Sequence, residues 1–275
     1  MRITIAGLGT IGRYVQEVFG PSCEIEVYDP PKGFRSTAAL SDTDYVFICV
    51  PTPSLDTGEC DVSLVEEVVA LAQPRRALVC HSTVSIGTTE RLAKAYEKPL
   101  VYVPEYAGES SDHPYRKAEN RRFFVYGGYE PALSQVRQLF ESVYPGRRHY
   151  LVEPRAAEVV KYMVNSFLAL KVAFSNEFYD LCQRVGADYD LVRELWVADG
   201  RIGPSHTIVT RERGYGGRCL PKDVAAVCAS ARASGSPLEI MDAAQKANAR
   251  HRGLRVATRS ADGGPPTKEA RRRDV

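Results

Sequence analysis

Two hydrophobic periods alternate along the first half of the chain. Short β-branched and apolar runs predict strands at residues 2–6, 25–28, 45–50, 77–80, 100–103 and 123–126. Between them, apolar residues recur at helical spacing and predict helices over 62–72, 88–96 and 131–143. Because strands and helices alternate, we predict an α/β fold with a doubly wound parallel sheet. Ligands of such sheets bind beyond the carboxyl ends of the strands.

The second half of the chain has a helical pattern. A single helix is predicted over 155–185, which contains neither glycine nor proline and is ended by Gly186. A helix of this length normally joins two domains or builds a dimer interface. We therefore predict a sheet domain over 1–153, an all-α central and dimerisation domain over 154–252, and a disordered basic tail over 253–275.

A glycine turn follows the first predicted strand. Gly7, Gly9 and Gly12 form a GxGxxG pattern between that strand and a helix, and Asp29 ends the second strand twenty residues after Gly9. This order is typical of a Rossmann dinucleotide site, in which the acidic side chain accepts hydrogen bonds from the ribose hydroxyls. Since Pro30 and not an arginine cluster follows Asp29, NAD is favoured over NADP.

Composition excludes several classes of protein. The chain has 275 residues, 44% of them hydrophobic and 25% charged, as in a folded soluble protein. A net charge of +2 is too small to indicate nucleic acid or a membrane surface as the main partner. Seven cysteines without a CxxC pair, and no apolar run of bilayer length, predict a cytoplasmic protein with reduced thiols. The five histidines lack ligand spacing, so no metal site is predicted.

Two groups of residues in the second half can carry chemistry. Lys161 and Asn165 are four residues apart and share a helix face, which suits an oxygen that becomes anionic. In the segment 214–223 (GYGGRCLPKD), Cys219 precedes Pro221 at a predicted helix N-terminus and lies beside Arg218 and Lys222. These neighbours favour the thiolate of a cysteine nucleophile. Alone, each group also fits a solvated helix face or an inert thiol.

An NAD site and a cysteine nucleophile together indicate a four-electron oxidation. A primary alcohol is oxidised to an aldehyde, the thiolate adds to form a thiohemiacetal, and a second oxidation leaves a thioester that water cleaves to a carboxylate. The three arginines 211, 213 and 218 suit an anionic substrate, and they fit solvated loop charge equally well.

The sequence resembles the UDP-glucose/GDP-mannose dehydrogenase family over roughly residues 1–252. The matching segments follow one another in family order: Gly7 to Gly12, Val46 to Pro53 (VFICVPTP), Ser82 to Thr89 (STVSIGTT), Pro104 to Ser110 (PEYAGES), 157–188, Arg201 to Gly203 and Gly214 to Asp223.

The resemblance implies roles for individual residues. It implies Cys219 as covalent nucleophile, Lys161 and Asn165 as oxyanion stabilisers, Glu105 as general base, and Asp223 with Thr83 positioning water. It implies NAD contacts at Gly7, Gly9, Thr10, Ile11, Gly12, Asp29, Val50, Thr52, Pro53, Ser82, Thr83 and Glu109. Substrate contacts are implied at Tyr106, Lys161, Asn165, Arg201, Tyr215 and Gly216. Since Arg201 of this family reaches into the partner subunit's site, a homodimer through the helix 155–185 is expected.

The sequence also departs from the family pattern. Family members continue into a C-terminal nucleotide-binding domain, and this chain ends where that domain is expected to begin. The substrate is therefore expected to be a nucleotide sugar or a related, smaller anionic molecule. Two other functions stay open, namely a two-electron 3-hydroxyacid dehydrogenase, which leaves Cys219 without a purpose, and a non-catalytic partner subunit.

Overall fold

The computed structural model describes residues 1–108, 117 and 120–253. Seven strands are described: β1 (Arg2–Ala6), β2 (Glu24–Tyr28), β3 (Tyr45–Ile48), β4 (Ala77–Cys80), β5 (Leu100–Tyr102), β6 (Phe123–Gly127) and β7 (Arg148–Val152). Eight α-helices are described: α1 (Thr10–Phe19), α2 (Ser63–Leu71), α3 (Thr88–Ala95), α4 (Ala132–Val143), α5 (Pro154–Val185), α6 (Tyr189–Ala198), α7 (Leu220–Ala233) and α8 (Glu239–His251). The predicted Glu109 contact and the tail from 254 lie outside the described residues.

The strands form one sheet in the order β2-β1-β3-β4-β5-β6-β7. Pairing is parallel from β2 to β5 and between β6 and β7, whereas β5 and β6 meet antiparallel at Tyr102 and Gly127. The predicted Rossmann-type α/β class is confirmed, followed by helices α5 to α8. Two details differ from the prediction, since the sheet is mixed and β7 was not predicted. β7 is an edge strand with mostly exposed side chains, so it carries no apolar run.

Hydrophobic residues cover both faces of the sheet. On one face, Ile3, Ile5 and Phe47 pack with Phe19 of α1 and Phe140 of α4. On the other face, the alternate strand residues Val46, Ile48 and Leu78 pack with helix α2 and with Leu92 of α3. Two buried faces explain why the central strands are uninterrupted apolar runs.

The chain forms two compact units. Among the described residues, the first contains those of Met1–Leu170 and Gly216–Met241, and the second contains Lys171–Tyr215 and residues 242–253. Helix α5 contributes to both, so the compact units divide the chain differently from the predicted sequence domains, whose boundary at 153/154 stays a prediction. Within the described residues, no helix combines the length and apolarity that a bilayer span requires.

Helix α5 is fastened to the sheet unit near its first turns. The buried carboxylate of Glu158 accepts hydrogen bonds from the backbone N–H groups of Gly87 and Thr89, at 2.5 and 2.8 Å. These are donors at the N-terminus of α3, which α3 itself leaves unsatisfied. Because Glu158 precedes Lys161 by three residues, the cap also fixes the part of α5 that faces the candidate site.

Candidate active site

The glycine turn after β1 is tightly packed at two glycines and open at the third. A Cβ on Gly7, whose φ is +93°, would lie 2.8 Å from the Cys49 carbonyl oxygen, and a Cβ on Gly12 would overlap the Gly7 carbonyl. A Cβ on Gly9 would meet nothing within 4 Å. Gly9 is the N-cap of α1 and no side chain caps this helix. The open helix N-terminus therefore fits the diphosphate of a dinucleotide.

Asp29 lies at the end of β2 beside the glycine turn. Its Oδ2 accepts hydrogen bonds from the Leu8 backbone N–H at 2.8 Å and from Lys32 Nζ at 3.1 Å. Lys32 Nζ also donates to the Leu8 carbonyl at 2.6 Å. Burial opposes the charged form of Asp29, but the bonds from Leu8 and Lys32 outweigh it and lower the pKa of the carboxyl. Asp29 is thus an ionised acceptor that fits the ribose hydroxyls.

The other predicted cofactor segments follow β3 and β4 and are tied together. The Ser82 hydroxyl donates to the Val50 carbonyl at 2.7 Å, which joins the two carboxyl ends. Thr52 is buried between the exposed Pro51 and Pro53. Thr83 is half-buried in the segment that directly follows β4.

Lys161 is buried on α5 and reaches the loop that follows β5. Its Nζ donates to the Glu105 backbone carbonyl at 2.7 Å and lies 4.9 Å from the centre of the Tyr106 ring. Burial lowers the pKa of the Lys161 ammonium, whereas the negative charges of Asp223, Cys219 and Glu105 oppose this effect. The site therefore holds a desolvated lysine, and the negative charges of three neighbouring groups stabilise its ammonium.

Asn165 lies one turn further along α5 and contacts α7. Its Nδ2 donates to Asp223 Oδ2 at 2.6 Å, and Lys222 Nζ donates to Asp223 Oδ1 at 2.8 Å. Lys222 Nζ also lies 3.8 Å from the sulfur of Cys60, which is itself 3.6 Å from the Tyr162 hydroxyl. Asp223 thus links the polar face of α5 to the first turn of α7.

Cys219 is the N-cap of α7 and its side chain is exposed. Its carbonyl accepts the Asp223 backbone N–H at 2.9 Å, as expected for the first turn of a helix that has Pro221 near its start. Cys219 thus lies at a helix N-terminus, and its charge is among those that act on the Lys161 ammonium. The other six cysteines are buried or half-buried.

The Glu105 carboxylate is held on all sides. Arg121 contacts both of its oxygens, at 2.8 and 2.9 Å, and the backbone N–H groups of Tyr106 and Ala107 donate to Oε1 at 2.6 Å. Burial favours the neutral acid, but Arg121, His81 and these backbone donors outweigh it and lower the pKa of Glu105. A lowered pKa makes the carboxylate a weaker proton acceptor. Its role as general base stays a prediction.

Arg201 and Tyr215 belong to the second compact unit, whereas Gly216 begins the second segment of the first. Arg201 is exposed and its Nε donates to Asp199 at 2.8 Å. Tyr215 is buried, and its backbone N–H donates to the Asn248 side chain at 2.6 Å. Their predicted substrate contacts stay predictions.

Arg213 was expected to favour an anionic substrate. In the structure, side chains of the protein itself hold its guanidinium. It is bound within the second unit to Asp180 at 2.6 Å and to Asn176 at 2.7 Å.

Sequence analysis missed several residues of these sites. Lys32 has a signal, as a lysine three residues after Asp29, but Arg121 and Cys60 have none, because only the fold brings them to Glu105 and Lys222. In the described part of the chain, no group of three or more histidine, cysteine or acidic side chains could hold a metal ion.

Two models of one protein family match successive parts of the chain. Residues 33–144 match the NAD binding domain of the UDP-glucose/GDP-mannose dehydrogenase family, and residues 155–250 match its central domain. The chain belongs to this family. NAD is its cofactor, in agreement with the open glycine turn and Asp29.

Family members of known sequence are considerably longer than this chain. The UDP-glucose 6-dehydrogenase of Pseudomonas aeruginosa is 35% identical over 236 residues, which are 80% of this chain and 51% of that protein. The chain spans about half the length of the curated relatives it matches.

Solved structures resemble this family member closely in fold. A UDP-glucose dehydrogenase from Pyrobaculum islandicum has a TM-score of 0.78 at 25% identity, over 90% of this chain and 68% of that chain. The 3-hydroxyisobutyrate dehydrogenase of Mycobacterium tuberculosis, solved with L-serine, has a TM-score of 0.67 at 19% identity, over 92% of this chain and 95% of that chain. The second likeness shows a shared fold alone.

Proposed function

We propose that this protein is an NAD-dependent dehydrogenase that oxidises a primary alcohol to a carboxylate in two successive two-electron steps. One observation carries the proposal: Asn165 of α5 binds Asp223 of α7, so the exposed Cys219 at the N-terminus of α7 belongs to the same compact unit as the buried Lys161 and Asn165. A dehydrogenase that stops at the aldehyde needs no nucleophilic thiol.

The proposed chemistry begins with two successive oxidations that are joined by a covalent bond to Cys219. NAD, when bound, supplies the hydride acceptor. The alcohol loses a hydride from carbon and a proton from oxygen and becomes an aldehyde. The Cys219 thiolate forms a bond to the carbonyl carbon, and the oxygen takes a proton, which gives a thiohemiacetal. Loss of a second hydride and a proton gives a thioester.

Hydrolysis of the thioester completes the cycle. Water adds to the carbonyl carbon, the C–S bond breaks, and the products are the carboxylate, one proton and the Cys219 thiol. Oxygen carries negative charge in each tetrahedral step, and we assign its stabilisation to the Lys161 ammonium and the Asn165 amide. Asp223, with Thr83, positions the water.

The proposed substrate is a nucleotide sugar or a related anionic alcohol. Supporting this class, the curated relatives include UDP-glucose 6-dehydrogenases of Pseudomonas aeruginosa and Rhizobium meliloti. The lysines of the site favour an anionic group, although Arg213 is held elsewhere. UDP-glucose is therefore the first substrate to test.

The stoichiometry of NADH tests this function. Purified protein is incubated with NAD and UDP-glucose, and then with other nucleotide sugars and smaller anionic alcohols. We expect two NADH per substrate consumed, with carboxylate as product. Cys219→Ser is expected to lower turnover by at least about 100-fold, because the thioester can no longer form. Full turnover of this variant would contradict the scheme.

The same assay separates the two other candidate functions. A two-electron 3-hydroxyacid dehydrogenase gives one NADH per substrate and does not depend on Cys219. A non-catalytic partner subunit turns over none of these substrates, and a titration that shows no NAD binding would favour it.

We also propose that the protein is a homodimer built around α5. In the second compact unit, α5 exposes Phe174, Phe178, Leu181 and Val185, which recur every three or four residues and so share one face. Helix α6 exposes Leu191 and Leu195 in the same unit. Exposed apolar side chains in such number are typical of a surface that a second copy covers.

A further inference from the structure

The loop that follows β5 is held by residues from three other segments. His81, after β4, contacts the Val103 carbonyl through Nδ1 at 2.6 Å. Arg121, before β6, binds the Glu105 carboxylate, and Lys161 of α5 donates to the Glu105 carbonyl. Lys161 is part of the proposed active site, but Arg121 has no role in the chemistry described above.

The pair formed by Arg121 and Glu105 has the geometry of a rigid support. Two nitrogens of the guanidinium meet the two carboxylate oxygens, at 2.8 and 2.9 Å, and both side chains are only 3% exposed. Such a fork fixes the orientation of the carboxylate as well as its position. The guanidinium also lies 5.1 Å from the centre of the Phe124 ring, which limits its movement.

The support extends from the carboxylate to the backbone. Glu105 Oε1 also accepts the N–H groups of Tyr106 and Ala107, at 2.6 Å each. The peptide between Glu105 and Tyr106 is therefore fixed at its nitrogen, and its carbonyl oxygen is the acceptor for Lys161 at 2.7 Å. A lysine side chain has four flexible bonds, so a fixed acceptor is what holds its ammonium in one place.

We propose that Arg121 is a positioning residue which, through Glu105, holds the Lys161 ammonium where it acts on Cys219. The catalytic consequence rests on the proposed function, but the effect on the thiol does not. The negative charges that stabilise the Lys161 ammonium are those of Asp223, Cys219 and Glu105, whereas the charge of Lys222 opposes them. Displacing the ammonium removes a positive charge from the field of the thiol and makes its thiolate less favourable.

Thiol alkylation measures this effect without any substrate. All seven cysteines lie within the described residues, and Cys219 is the exposed one among them, so iodoacetamide reports on it and Cys219→Ser subtracts the background. Rates are measured from pH 6 to pH 9 on the full chain. Lys161→Met is the reference variant and is expected to lower the rate near pH 7 by about tenfold.

The Arg121 variants are expected to move the alkylation profile in the same direction as Lys161→Met. Arg121→Met is expected to lower the rate several-fold, and Arg121→Lys less, because a lysine keeps the charge but loses the fork. Arg137→Met is the matched control. This half-buried arginine of α4 pairs only with Glu141 among the ion pairs described, and its removal should leave the profile unchanged.

A second variant guards against unfolding. Arg121→Met leaves the Glu105 carboxylate buried without its partner, whereas Arg121→Met with Glu105→Gln removes both charges and is expected to fold. The proposal predicts the same lowered rate for this double variant as for Arg121→Met. A folded Arg121 variant, with the wild-type melting curve and NAD titration, that alkylates at the wild-type rate would overturn the proposal.

Glu105→Gln separates the positioning role from the general-base role. A positioning role predicts that this variant slows alkylation together with turnover, and that its effect and that of Arg121→Met are not additive. If only turnover falls, the side chain acts as a base and the proposal is wrong. Absence of turnover in the wild type would contradict the proposed function alone. The alkylation rates need no substrate, so they would still test the positioning role.

Discussion

At the scale of single residues, the glycine turn shows how position and not residue type sets a role. Gly7 and Gly12 are required for packing, because a Cβ on either would meet backbone atoms of Cys49 or of Gly7 itself. Gly9 has open space where its Cβ would be. The sequence predicts the turn but does not distinguish these cases, since the clash partner at Gly7 is Cys49, which follows β3 and is a neighbour of the turn only in the fold.

Gly9→Ala is expected to separate folding from cofactor binding. The added methyl group meets no protein atom, so the free energy of unfolding should change by no more than about 1 kcal/mol. It would stand where the diphosphate approaches the helix N-terminus, so NAD affinity should fall about tenfold or more.

Urea unfolding and an NAD titration monitored by calorimetry measure the two quantities. Gly200→Ala is the control, because a Cβ at this glycine of the second unit also meets nothing within 4 Å. Wild-type NAD affinity in Gly9→Ala would show that the cofactor does not use this turn.

At the scale of elements, the bounds of helix α5 were predicted to within one residue, whereas its hydrogen bonds to other elements were not predicted. The run without glycine or proline and the Gly186 stop, with φ of +74°, define the helix from local sequence. The contacts of Lys161 with Glu105 and of Asn165 with Asp223 join residues 56 and 58 positions apart in the chain. Local sequence patterns predict helices and turns. The carbonyl or carboxylate that each polar side chain binds is set by the tertiary structure.

The cap of α3 by α5 predicts a pH-dependent stability. Burial, opposed by the bonds from Thr89 and Gly87, raises the pKa of Glu158 above 4.5. The folded protein thus binds this proton more tightly than the unfolded chain. The stabilisation is fully present below about pH 4.5 and is lost as the pH rises through the folded value.

Comparison with Glu158→Gln isolates this contribution, because the other titrating groups are common to both proteins. The free energy of unfolding of the wild type, minus that of the variant, is expected to decrease as the pH rises from 4.5. Urea unfolding curves at several pH values provide the measurement. A difference that increases with pH would mean that the ionised carboxylate is the favoured form of the cap.

At the scale of the whole molecule, the division into compact units does not follow the order of the chain. The segment Gly216–Met241 returns to the first unit and carries Cys219 and Asp223 to the unit that holds Lys161 and Asn165. The candidate catalytic groups therefore lie in two motifs that are separate in the sequence and share one compact unit in the fold. Their assembly depends on the fold. Residue spacing alone left the roles of these side chains open, and the resemblance to a family implied them.

The proposed dimer predicts a change of mass on substitution. Leu181→Glu places a carboxylate on the exposed apolar face of α5 and should convert a dimer, of about twice 30.4 kDa, into a monomer. Light scattering after size exclusion measures the mass. Leu64→Glu, an exposed leucine of α2 in the first unit, is the control and should leave the dimer intact. A wild-type protein of monomer mass would contradict the dimer.

Strand β2 ends the sheet on one side, with no further strand beside it among the residues that the structure describes. The backbone N–H and C=O groups on the open side of an edge strand can pair with a strand of another molecule, and such edges promote aggregation. Two outward-facing carboxylates, Glu24 and Glu26, alternate along it with half-buried Ile25 and Val27. A second molecule that approached in register would bring like charges together, so these exposed glutamates oppose edge-to-edge association of the sheet.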